Sequence, residues 1–236
     1  MKKYETHLHT CEVSACASAS GAEQARRYKQ EGYDGICVTD HFFNGNSRVD
    51  PNADWKTKVD QYMLGYDNAR AEGDKIGLKV FFGIEYSYNG ADVIFLGLDR
   101  QWLYDNSDAL EISFYEFAQR AHEAGALLIH AHPFREADYI REVKLLPQWV
   151  DAVEVYNSGN REEIYNDRAV WYADQYGIKP RTGGTDNHHL SVDSRRLSGI
   201  MCEQELGTVE DLTAAIKEDR VTPIIPTLKA GEEGMA

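Results

Sequence analysis

The stretch ETHLHT places His7 and His9 one residue apart, and on an extended strand side chains two apart share a face. Two imidazoles aimed at one point form a chelate, because neutral imidazole is the commonest metal-binding side chain and the strand has already fixed both. The same residue types recur along the chain. Asp40 and His41 follow an apolar run in ICVTDHF, Glu85 follows FFGI, and His130 and His132 close ALLIHAHPF. Asp186 and His188, again two apart, stand in TGGTDNHH. Singly, each fits a helix cap or a partner for a buried amide. Together they place His, Asp and Glu at the ends of otherwise apolar runs, where a packed core would put Leu or Val. That set is what a shared polynuclear metal centre requires.

Such residues need elements to carry them. Apolar runs of strand length cover Lys3–His9, Gly35–Thr39, Lys79–Tyr86, Val93–Leu98, Ala126–Ala131, Ala152–Tyr156, Arg181–Thr185, Ser198–Cys202 and Val221–Ile225. Between them the pattern predicts helices over Asp54–Glu72, Arg161–Tyr176 and Thr208–Asp219. Two more start at capping boxes, Ser20 with Glu23 and Ser113 with Glu116, the second ending at Gly125. Regular strand-helix alternation implies right-handed βαβ units and a parallel sheet, and the architecture expected is an α/β barrel spanning residues 1–236 as one domain. Chemistry in such folds gathers at the carboxyl ends of the strands, where these residues fall.

The composition sets limits on partners. With 236 residues and 42% hydrophobic content, the chain can bury a continuous core. A formal charge of −14 disfavours nonspecific attraction to nucleic acid and to anionic lipid, and no apolar run approaches a membrane span. A cytoplasmic location is expected, as no signal-peptide core follows the first residues. Cys11, Cys16, Cys37 and Cys202 follow neither zinc-finger nor disulfide spacing and read as free thiols.

As a set, HLH, TDH, the GIE glutamate, the AHP histidine and TDNH resemble the motifs of the polymerase and histidinol phosphatase (PHP) family of metal-dependent phosphoesterases, over nearly the whole chain. The resemblance implies a distorted (β/α)7 barrel with two or three divalent transition metals, zinc, manganese or iron, at the strand ends. It further implies His7, His9, Glu85 and Asp186 as ligands of one metal, with Glu85 bridging to a second that also takes His132. His41 and His188 fall to a third. Asp40 is expected to orient a ligand or an activated water, with a helix cap as the rival reading, and His130 stays outside the set. The chain departs from the family pattern twice. Where a further His or Asp usually follows HxH it offers Glu12 or Cys16, and where a His often follows the bridging Glu it offers Asp92 or Asp99.

Clustered divalent cations polarise phosphoryl oxygens and bring the ionisation of bound water to about pH 7. The expected reaction is therefore hydrolysis of a small phosphorylated substrate. Arg135, three residues past His132, could grip two phosphate oxygens, with Arg195 and Arg196 as further candidates. Asp40 or His189 could protonate the leaving alkoxide. Two other readings stay open: an amidohydrolase or deaminase, which also begins with HxH, and a non-catalytic metal-binding module.

Overall fold

The computed structural model describes residues 1–138 and 140–228. Its strands are β1 (Lys2–Glu5), β2 (Gly35–Val38), β3 (Lys79–Tyr88), β4 (Ala91–Leu96), β5 (Leu127–Ala131), β6 (Ala152–Asn157), β7 (Arg181–Gly184), β8 (Gly199–Cys202) and β9 (Val221–Ile224). The helices are α1 (Gly21–Gln30), α2 (Trp55–Tyr62), α3 (Leu64–Ile76), α4 (Arg100–Asp105), α5 (Phe114–Glu123), α6 (Glu163–Tyr176) and α7 (Val209–Lys217). All strands belong to one sheet in the order β7-β6-β5-β4-β3-β2-β1-β8-β9.

The segments that follow β1 and β7 meet beyond the regular ladders. The His9 N–H donates to the Asn187 carbonyl at 2.9 Å and the Asp186 N–H donates to the His7 carbonyl at 2.9 Å, making a parallel bridge between Leu8 and Asn187. β1 through β7 thereby close into a barrel. The β8–β9 hairpin is an addition, paired antiparallel to β1 at Lys2–Tyr4, the end of that strand remote from His7. It accounts for the two strands beyond the seven of the barrel that the resemblance implied, both of them among the nine runs marked in the sequence.

The sheet is mixed, which corrects the expectation of a parallel one. β4 runs antiparallel to both β3 and β5. The cause is local: Asn89 and Gly90 have φ of 47° and 90°, and a two-residue hairpin loop of this kind needs left-handed backbone at both positions, which Asn-Gly supplies. The single helix expected over Asp54–Glu72 is two, α2 and α3, joined at Met63. Helix starts follow the sequence closely. Ser20 and Glu23 form a reciprocal capping box, and the Ser113 hydroxyl accepts from the Glu116 N–H at 3.2 Å.

Packing then fixes the frame. α1 and α3 bury Tyr28 and Ala69 against Ile36 and Val38 of β2, while α5 and α6 bury Phe117 and Tyr172 with Phe95, Leu128 and Val153. Each fully buried large side chain contributes about 1.5–3 kcal/mol. α3 begins beside the barrel mouth, where a Cβ on Gly65 would lie 2.0 Å from Thr10 Oγ1 and 2.7 Å from Asp40 Oδ2. Only glycine permits that approach. Among the described residues no helix is long and apolar enough to cross a membrane, and the four cysteines are free.

Candidate metal centre

Glu5, the last residue of β1, shapes the segment after it. Its Oε1 accepts from the N–H groups of Thr6, His7 and Thr185 at 2.9, 2.9 and 3.0 Å, and its Oε2 accepts from the Tyr28 hydroxyl at 2.8 Å. One buried carboxylate thus ties the His7 backbone to the segment that carries Asp186. Burial pushes its pKa up to about 7 against the opposing hydrogen bonds from Thr185 and His7.

Three imidazoles are held by one nitrogen each. His7 Nδ1 lies 3.0 Å from Glu154 Oε1, His9 Nδ1 lies 3.0 Å from Ser14 Oγ, and His188 Nδ1 lies 2.8 Å from the Asp186 carbonyl oxygen. The carboxylate and the carbonyl can only accept, and Ser14 gives its own proton to Asp40 Oδ1 at 2.6 Å. These partners assign the proton to Nδ1 in all three rings and leave the lone pair on Nε2.

The lone pairs of His7 and His9 converge on two acids. His7 Nε2 lies 3.1 Å from Glu85 Oε1 and 3.5 Å from Asp186 Oδ1, and His9 Nε2 lies 3.1 Å from Asp186 Oδ1 and 3.5 Å from Glu85 Oε2. His132 Nε2 is 3.2 Å from Glu85 Oε1, and His41 Nδ1 is 2.6 Å from Glu85 Oε2. Yet His7 Nε2, His9 Nε2, His41 Nδ1 and Glu85 Oε2 are buried and make no hydrogen bond. Atoms at these separations without hydrogen-bonding angles face a common space. A buried polar atom left without a partner costs about 1–3 kcal/mol, so four together fit the shell of a cation.

The seven expected ligands are all brought together, in three triads: His7, His9 and Asp186; His7, Glu85 and His132; and His9, His41 and His188. Within each triad the donor atoms lie within 4.8 Å of one another. His7 and His9 each belong to two triads, and one ring nitrogen bonds one cation, so the triads are overlapping groupings of a single donor set. The field of the site favours positive charge. Burial alone would lower the pKa of His7, but the carboxylates of Asp186, Glu154 and Glu85 raise it well above the ordinary value. Asp186 is held well below the carboxylate range despite burial, chiefly by Arg135 and His7. Burial and the neighbouring His188 and His41 keep His9 neutral, the form that ligates.

Two of the donors sit on strained backbone: His132 has φ of 27° and Asp186 of 55°, both unusual for residues with a Cβ. The His132 N–H is held by Glu154 Oε2 at 2.9 Å. This turn separates His132 from His130, whose Nδ1 faces the Tyr172 hydroxyl at 3.2 Å in the layer of α6. Gly184 makes room for the arrangement, since a Cβ there would lie 2.1 Å from Glu154 Oε1 and 2.6 Å from the His7 Cβ.

The doubtful positions sort themselves. Glu12 accepts from the Gly21 N–H at 3.1 Å and from Asn68 Nδ2 at 2.9 Å, so it caps α1 and points away. Cys16 stays at the mouth, its Sγ 3.3 Å from His41 Nε2. Asp99 caps α4, whereas Asp92 borders the central cavity beside Glu85 and His132. Asp40 is buried behind Ser14, its oxygens also accepting from the Thr10 N–H and hydroxyl at 2.6 Å each. Arg135 lines the cavity with Nη1 on Asp186, Nη2 on Asn157 Oδ1 at 2.7 Å and Nε on Asn160 Oδ1 at 3.1 Å. Arg195 pairs with Asp193, and Arg196 donates to the Ser158 carbonyl at 2.6 Å. Glu154, Ser14 and Glu5 were absent from the expected set. Only Glu154 carries a signal in the sequence, as the one charge inside the run AVEVY.

Two cavities adjoin over the centre. The inner one, about 520 Å³, is lined by His41, Glu85, His132, Arg135, Asp186 and His188. The outer one, about 620 Å³, shares Cys16, Asp186 and His188 with it and extends past His189, Arg195 and Arg196.

The fold has counterparts among solved structures. A two-domain protein from Bacteroides vulgatus containing a predicted PHP-like metal-dependent phosphoesterase superposes over 96% of this chain with a TM-score of 0.73 and 14% identity. The lesion-specific endonuclease EndoQ of Pyrococcus furiosus matches over 92% with a TM-score of 0.59 and 14% identity. An amidohydrolase from Chromobacterium violaceum matches over 81%, and 89% of its own length, with a TM-score of 0.53 and 14% identity. The chain spans 65% of the Bacteroides protein and 56% of EndoQ. No protein-family model and no curated protein matches the sequence. The chain therefore has the barrel fold of the PHP-like phosphoesterases, as its motifs implied, at identities that define fold rather than activity.

Proposed function

We propose that the chain forms one domain, a metal-dependent phosphoesterase that hydrolyses a small phosphorylated compound. The observation that carries the reading is the set of imidazoles locked at Nδ1, with the Nε2 atoms of His7 and His9 buried around Glu85 and Asp186. His7, His9, Glu85 and Asp186 would hold one cation, Glu85 with His132 a second, and His41 with His188 a third, the ions being zinc, manganese or iron. Bound there, they supply polarisation of the phosphoryl oxygens and a water that ionises near pH 7.

The protein's own groups do the rest. Arg135, fixed on three sides, presents its guanidinium at the wall shared with Asp186 and positions the phosphoryl group in the inner cavity. The Asp40 carboxylate reaches His9 through Ser14, so its role is to orient that ring rather than to transfer a proton. His189 borders the outer cavity with Nδ1 on the Ser18 hydroxyl at 2.8 Å, and its Nε2 holds the proton for the leaving alkoxide. The outer cavity accommodates the leaving group. The charge of −14 supports a small substrate over a nucleic acid, whose backbone calls for a basic track.

The test is elemental analysis of protein purified without chelator, followed by assays on an aryl phosphomonoester, a bis-aryl phosphodiester and a single-stranded oligonucleotide. At least one equivalent of transition metal and chelator-sensitive cleavage of the monoester are expected. Less than about a tenth of an equivalent of metal, with no cleavage after metal is restored, would overturn the metal reading. Preferred cleavage of the oligonucleotide would replace the substrate class. Amide hydrolysis without ester hydrolysis would favour the amidohydrolase reading.

A further inference from the structure

The inner donors are rich in partners and the outer ones are not. His9 Nε2 lies closer to Asp186, at 3.1 Å, than to any other acid, and so belongs chiefly to the inner group. That leaves His41 and His188 at the mouth with two nitrogens, whereas a stable site for a borderline transition metal wants three or four protein donors. The expected carboxylate candidate, Glu12, is committed to the start of α1.

The remaining side chain is Cys16. Its Sγ lies 3.3 Å from His41 Nε2, and it borders both cavities together with His188. His188 is fixed with Nδ1 on a carbonyl, which leaves Nε2 to ligate. The two imidazoles already stand together as donors there, one ligand atom of each lying within 4.8 Å of the other and of a nitrogen of His9, which borders them from the inner group. The loop that carries Cys16 is anchored by backbone as well. The Ala15 N–H donates to the Asn46 carbonyl at 2.8 Å and the Ser18 N–H donates to the His188 carbonyl at 2.9 Å, which pins the thiol beside both imidazoles.

We propose that Cys16 is a thiolate ligand of the outermost cation, completing with His41 and His188 a site of mixed sulfur and nitrogen donors. The inference rests on the metal-centre reading and adds a consequence. Sulfur selects soft and borderline ions, so the outer position takes zinc or cobalt in preference to manganese or magnesium, while the inner positions, richer in carboxylate, discriminate less. Binding releases the thiol proton to solvent, and the Cys16 sulfur is then shielded from electrophiles.

The experiment loads chelator-stripped protein with Co(II), counts bound cobalt by elemental analysis, and records the near-ultraviolet sulfur-to-cobalt charge-transfer band. The band is expected in the native protein and absent from Cys16→Ser. That variant should keep the visible bands of its inner cobalt and lose about one equivalent of metal. His188→Ala should lose the band as well. In parallel, alkylation of Cys16 by iodoacetamide, followed by peptide mass spectrometry, should slow at least tenfold when Zn(II) is added. Full cobalt binding without the band, or a band that survives in Cys16→Ser, overturns the thiolate ligand and leaves the metal centre intact. Failure to bind cobalt at all overturns both.

Discussion

Glu154 Oε1 lies 3.0 Å from His7 Nδ1, with both side chains buried, while the other oxygen of Glu154 accepts from the His132 N–H at 2.9 Å. One carboxylate therefore sets the tautomer of one candidate ligand and the backbone turn of another. Its nearest analogues are the acids that hold metal-binding histidines from behind. Glu154→Ala is expected to lower metal affinity 10- to 100-fold, read by competition with a chromogenic chelator. Glu154→Gln should lose less, because its amide oxygen still accepts from one of the two partners. An unchanged affinity in the alanine variant would show that Glu154 serves packing alone.

The placement of the centre predicts a contrast between two histidines. His7→Ala removes a buried nitrogen from the donor set and should abolish hydrolysis of an aryl phosphate. His122→Ala, on the outer face of α5, removes only a half-exposed pair with Asp151 and should leave hydrolysis near the native rate. Its cost in stability should stay within about 1 kcal/mol. Equal damage from both substitutions would show that activity tracks folding rather than the centre.

Arg135 joins the cavity wall to Asp186, and its contribution separates kinetically from that of the ligands. Arg135→Ala should raise KM for a phosphomonoester and weaken inhibition by inorganic phosphate by a similar factor, on the order of 10- to 100-fold for the loss of a charge-assisted pair. Arg135→Lys should recover part of both. If phosphate inhibition does not move, the guanidinium orients Asp186 and takes no part in holding the substrate.

Glu5 makes the chelator-treated protein sensitive to pH. Its pKa, ordinarily 4.5, is raised by burial to about 7, so between those values the folded state binds more proton than the unfolded state. The resulting stabilisation is complete below pH 4.5 and is lost as pH rises through 7, for a total on the order of 3 kcal/mol. Glu5→Gln keeps an oxygen for the three N–H donors and cannot ionise. Denaturant midpoints measured from pH 5 to 8 should therefore fall less with pH in Glu5→Gln than in the native sequence. Parallel slopes would remove Glu5 as the source.

Much of this was legible before any coordinates. The apolar runs that lead to His9, His41, Glu85, His132 and His188 announced themselves because charged or polar residues interrupt them where a packed core has no use for such groups. The antiparallel course of β4 has a mark in the sequence, since Asn89-Gly90 is a strong hairpin signal, but the parallel reading rested on the alternation of strand and helix and passed over it. The division of helix 54–72 at Met63 had no such mark, as neither Gly nor Pro stands there. Ser14 and Glu5 were out of reach for a different reason. Their importance comes from partners far away in sequence, Asp40 for the one and Thr185 for the other. Ser14 and Glu5 look like ordinary loop and strand residues until the barrel closes.

The seam through Leu8 and Asn187 has a consequence for how the protein is made. Glu5 and Thr185, which fasten it, are 180 residues apart in sequence. A ribosome delivers His7 and His9 among the first residues of this stretch and their complements Asp186 and His188 only after all seven barrel strands have emerged. Until then a nascent chain exposes an open sheet edge and two uncommitted imidazoles. Contacts of such long range make closure slow compared with local helix formation. Capture of metal at the proposed centre would therefore come late in biosynthesis, and a cation held there would mark a chain whose barrel has shut.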